Sequence, residues 1–152
     1  MNEFELIRLQ QSLEAEMEAA LQARAAGNRA LSAYRPEEAA QFFERQLQCG
    51  ERMRRIAGVE DIPEEIRSQI GWRHADALSQ LALAEMMLWR LDDAQEHNAR
   101  AVAEYRQLEE NEKALAVALR NRACMALLET RFAEAEALLD EAASLTPRNR
   151  SA

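Results

Sequence analysis

Apolar and small residues recur along this chain at three- and four-residue steps, and no stretch shows sustained alternation of apolar and polar positions. That periodicity is helical, so a sheet is not expected. Near the N-terminus Phe4, Leu6, Leu9, Leu13, Met17, Ala20 and Leu21 form such a stripe, marking one face of a long amphipathic helix. Three times further on, a small residue is followed twelve positions later by alanine: Gly27 and Ala39, Ala82 and Ala94, Ala123 and Ala135. Twelve residues reach from the middle of one helix through a tight turn into the next, and small side chains let two antiparallel backbones approach closely. Each pair therefore predicts a helical hairpin. Two hairpins carry a further alanine seven residues on, at Ala101 and Ala142.

Capping chemistry places the boundaries. Asp61 followed by Glu64 and Glu65 reads as a capping box with Pro63 in the same first turn, since carboxylates satisfy free amides there and complement the helix dipole. Arg52, Arg54 and Arg55 fall in the last turn of the preceding helix, which Gly58 is placed to end in the left-handed conformation. Asn111 and Thr130 are candidate N-caps. The expected helices run near 3 to 33, 36 to 56, 63 to 89, 92 to 108, 112 to 129 and 131 to 145, with a loop at 57 to 62. They form a single domain, 1–152: an N-terminal helical extension over 1–19 and hairpins over about 20–56, 63–108 and 112–147.

The residues around the small pairs resemble the tetratricopeptide repeat. In the third unit Leu119, Ala123, Phe132, Ala135, Leu139, Ala142, Leu145 and Pro147 fall in its register. The second supplies Leu78, Leu81, Ala82, Leu91, Ala94 and Ala101, and the first Gly27, Pro36, Ala39 and Phe43. Gln46 stands where a small residue is usual, and Arg122 where a leucine-like one is. Successive small residues lie 55 and then 41 positions apart, against about 34 in the common repeat, so the excess must lie in longer helices or loops.

The resemblance implies an all-α stack of helical hairpins with a right-handed superhelical twist and a concave groove lined by the first helix of each hairpin. Carried onto this sequence, that face selects Arg24, Asn28, Asp76, Gln80, Leu83, Met87, Arg120, Asn121 and Cys124. Forked donors, amides and soft apolar groups of this kind suit a peptide or helical segment of a partner protein. The implied role is an adaptor or scaffold. Short, acidic, three-repeat chains are also similar to type III secretion chaperones of the translocator class, and long repeats to those of bacterial regulators. A dedicated chaperone for a secreted protein, or the interaction part of a regulator, is therefore the alternative. Arg24 and Asn28 resemble the first pair of a co-chaperone carboxylate clamp, but Gln80, Val117 and Asn121 depart from the rest of it.

Composition reinforces the helical reading: the chain has only 4 glycines and 3 prolines among 152 residues. A formal net charge of -8 makes nucleic acid a poor partner. No apolar run approaches the roughly 20 residues of a membrane span, and acid near Met1 replaces the base of a secretory signal. A cytoplasmic location follows as the expectation, with Cys49 and Cys124 as free thiols. The two histidines, His74 and His97, stand alone and form no helical zinc-ligand pair; each reads as a surface or hairpin-packing residue. Glycines at 27, 50, 58 and 71 write no phosphate-cradling loop, and no serine or cysteine has a nucleophile's setting. Neither enzyme activity, cofactor nor metal is expected.

Stacked repeats need covered ends. Phe132, Ala135, Leu139 and Ala142 are expected to face their own hairpin, leaving Leu138 and Leu145 on a second stripe with Leu127 or Leu128 beside it. That stripe, or the N-terminal one, is the expected contact of a two-fold homodimer.

Overall fold

The computed structural model describes residues 2–59 and 62–145. Its order is α1 (Glu3–Ser32), α2 (Pro36–Val59), α3 (Glu64–Met87), α4 (Leu91–Gln107), α5 (Glu112–Leu128) and α6 (Phe132–Leu145). The protein is all-α among the described residues, with six helices paired as three antiparallel hairpins, α1/α2, α3/α4 and α5/α6. The hairpins stack in chain order, α2 against α3 and α4 against α5.

One turn geometry, used three times, sets the register. Tyr34, Trp89 and Thr130 have φ values of 58°, 61° and 59°. The next residue is arginine each time, and the N–H groups of Arg35, Arg90 and Arg131 donate to the carbonyls of Ala30, Glu85 and Ala126 at 2.8, 2.9 and 2.8 Å. This is the Schellman closure of a helix C-terminus. The carbonyl of the same arginine then accepts the first hydrogen bond of the next helix, from Ala39, Ala94 or Ala135. Thr130 is thus the left-handed residue ending α5 rather than an N-cap, and its hydroxyl donates to the carbonyl of Glu129.

Other helix ends also differ from expectation. Asn2 and Glu5 form a capping box on α1. Asn111 holds the N-cap position of α5 as expected, its carbonyl accepting from the N–H of Leu115, but its side chain turns away from the helix and its amide donates to the carbonyl of Tyr105. Pro63 is the N-cap of α3, and Asp61 lies outside the described residues. Gly58 stays helical, because α2 continues to Val59 and buries Ala57 against Met53, Ile62 and Ile70. Arg52, Arg54 and Arg55 consequently sit before the last turn.

The unusual spacing is absorbed by helix length. α1, α2 and α3 have 30, 24 and 24 residues, whereas α4, α5 and α6 have 17, 17 and 14. The N-terminal stripe belongs to one continuous α1: Leu9, Leu13 and Met17 pack on Cys49, Met53 and Ile70, while Phe4, Leu6 and Ile7 remain exposed. All six small residues at the hairpin contacts are buried. The main core runs through the three hairpins, from Phe43 and Leu47 by Leu78 and Leu81 to Leu119 and Leu138.

Leu138 is therefore inside, 9% exposed, and Leu145 packs against the same core. The inward stripe of α6 is Ala135, Leu138 and Ala142, spaced three and four apart; Phe132 and Leu139 face outward with Leu127 and Leu128 of α5. The expected leucine patch is turned by one position.

Candidate functional site

Three first helices meet at one pocket of about 300 Å³. Arg24 enters from α1; Trp72, Asp76, Gln80 and Leu83 form a stripe on α3; and Lys113, Val117 and Asn121 form a stripe on α5, with Tyr105 of α4 beneath. Steps of three and four residues put each stripe on one helix face.

The pocket is organised around a partly buried ion pair. Arg24 Nε donates to Asp76 Oδ2 at 2.7 Å, and the Asp76 side chain is 8% exposed against 33% for Arg24. Gln46 of α2 completes the carboxylate's shell, its Nε2 donating to Oδ2 at 2.8 Å. A carboxylate this deep is tolerated because it is both paired and hydrogen-bonded. Its charge, after burial itself, helps push the Tyr105 hydroxyl well above its ordinary pKa, so this phenol stays protonated. Arg24's charge is committed inside the protein, whereas Lys113 forms no ion pair among the described residues.

Of the residues selected from sequence, Arg24, Asp76, Gln80, Leu83 and Asn121 come together here. Asn28 is half-buried on α1, and Met87, Arg120 and Cys124 are exposed, all four outside the pocket lining. Trp72, Tyr105 and Lys113 join the pocket without a signal in the sequence, and Val117 joins it from one of the clamp positions. Gln46 carried a signal, as a long amide at the position where the other hairpins have Ala101 and Ala142.

Both histidines tie helices together. His74 Nδ1 lies 2.7 Å from Glu104 Oε1, and Glu104 also pairs with Arg54, which links α2, α3 and α4. Burial alone would raise the Glu104 carboxyl, but the His74 hydrogen bond and the charges of His74 and Arg54 bring it below the usual value. His97 Nδ1 lies 2.6 Å from Glu85 Oε1; there burial prevails over the histidine, and the Glu85 carboxyl is raised. Cys49 is a buried and Cys124 an exposed free thiol.

Comparison with known protein families, with characterised proteins and with solved structures finds no match. Among the described residues no helix is long and apolar enough to cross a membrane.

Proposed function

We propose that this chain is a protein-interaction module of tetratricopeptide kind, an adaptor or scaffold that holds a segment of a partner protein along the face shared by α1, α3 and α5. The observation that carries this reading is the convergence of three first helices on one pocket that mixes amides with apolar surface. Gln80 and Asn121 can each donate to and accept from a peptide backbone. Trp72, Leu83 and Val117 offer apolar anchorage between them. Lys113, the one lysine of the chain, gives the pocket an uncompensated cation and favours a segment carrying an acidic group. With Arg24 held by Asp76, a clamp for a C-terminal carboxylate is not the favoured mode.

The test is co-purification of the native protein, identification of the partner by mass spectrometry, and calorimetry with the purified partner. Lys113→Glu and Gln80→Ala should each weaken binding while helicity is unchanged. A partner whose affinity survives both substitutions would remove this face as the binding site.

A further inference from the structure

The shared turn register makes positions correspond between hairpins at offsets of 55 and 41 residues. On α3, His74, Ala77, Leu78 and Leu81 are buried on the side that receives α2: Gly50 abuts His74, and Phe43 and Leu47 join the same cluster. On α5 the corresponding residues are Leu115, Ala118, Leu119 and Arg122, and α4 lies over them, with Asn98 donating to the Ala118 carbonyl at 3.0 Å. In both places a second helix of the preceding hairpin is the cover.

The first hairpin presents the same face uncovered. The corresponding residues of α1 are Ala19, Gln22, Ala23 and Ala26, and they line an open groove of about 630 Å³ whose other wall is Phe42, Arg45 and Gln48 of α2. Ala19, Ala23 and Ala26 stand here where α3 has His74, Leu78 and Leu81, with Gln22 in place of Ala77. Its rim is basic: Arg29 and Arg45 form no ion pairs among the described residues, and Arg45 lies over the Phe42 ring at 5.5 Å. The natural complement is a helix carrying bulk and negative charge.

α6 has that character on its outer side. It holds the place in its hairpin that α2 and α4 hold in theirs, yet Leu139 is 43% exposed where Phe43 and Asn98 are fully buried. Glu136 and Asp140 flank Leu139, both exposed.

We infer that the groove between α1 and α2 receives α6 of a second copy of this chain, head to tail, so that the hairpin stack runs on from one molecule into the next. Leu139 enters above the alanine floor, and Glu136 and Asp140 approach Arg29 and Arg45. The contact joins two different faces, so every joined pair keeps one groove and one α6 face open, and assembly grows with concentration instead of stopping at a dimer.

Sedimentation and light scattering on three proteins decide the matter. The wild type should show a mass that rises past twice the 17.3 kDa protomer as concentration increases. Arg29→Glu with Arg45→Glu closes the groove, and Leu139→Glu closes the α6 face; each should be monomeric with unchanged circular dichroism, since all three positions are exposed. Mixed in equal amounts, these variants retain one intact interface between them and should give a twofold rise in mass and nothing larger. A wild type that stays monomeric, variants that assemble like the wild type, or a mixture that remains monomeric would each overturn the inference.

Discussion

Gly27 of α1 lies directly against the ring of Phe43 of α2: a Cβ placed there would come within 2.7 Å of ring carbons Cδ1 and Cζ. Alanine at this helical position would gain up to about 1 kcal/mol of propensity. Overpacking a rigid contact costs about 1–3 kcal/mol, and Phe43 is fully buried. Gly27→Ala is therefore expected to destabilise the protein by about 1–2 kcal/mol in urea unfolding. Adding Phe43→Leu should recover part of that loss, which a contact elsewhere would not produce.

The left-handed turn residues predict the opposite sign. Tyr34 and Trp89 are 85% and 68% exposed, so their side chains gain little from burial while their backbones carry positive φ. Glycine removes the Cβ penalty of that conformation. Trp89→Gly should raise stability by about 1 kcal/mol, or about 2–4 °C in thermal midpoint for a domain of this size. No gain on calorimetry would mean that the indole makes a contact offsetting the strain.

Breaking the Arg24–Asp76 pair should cost more than an ordinary surface arginine. Arg24→Ala leaves Asp76 beside Gln46 without a cation; because Arg24 is one-third exposed, water screens part of the loss. The expected destabilisation is about 1–3 kcal/mol, below that of a fully buried pair. Arg24→Met with Asp76→Leu should lose less than the sum of the two single changes, and strict additivity would deny the coupling.

Two carboxyls, the half-buried Glu104 and the buried Glu85, give opposite pH responses. Glu104 is lowered below its ordinary 4.5, so the stability it contributes is present above about pH 4.5 and is lost as pH falls. Glu85 is raised, so its contribution is present in acid and is lost as pH rises through its folded value. Between pH 7 and 3, Glu104→Gln should lose less stability than the wild type and Glu85→Gln more. Parallel curves for all three proteins would show that neither pair governs the acid limb.

The fold was largely legible because helical periodicity and the twelve-residue small pairs are local signals, and each records a close backbone contact within one hairpin. The helix ends were less so. Tyr34, Trp89 and Thr130 take up the left-handed position that glycine would normally mark, and Gly58, which looks like a terminator, remains helical under tertiary packing around Ala57. In α6 the inward stripe could be drawn through Leu138 or Leu139, and it is the tertiary packing of α6 that selects Leu138. Five of the nine groove residues share the pocket because the repeat register fixes which helix face they occupy. Gln46 and Tyr105 were missed because they reach it from second helices, which the register assigns to packing.

The proposed partner contact lies on the face formed by α1, α3 and α5. Site-specific photo-crosslinking in cells tests this directly, with benzoyl-phenylalanine placed at Gln80 on that face and, as the control, at the exposed Glu96 of α4. A discrete adduct is expected from position 80, reduced by Lys113→Glu, and none from position 96. An adduct from position 96 with none from position 80 would contradict it.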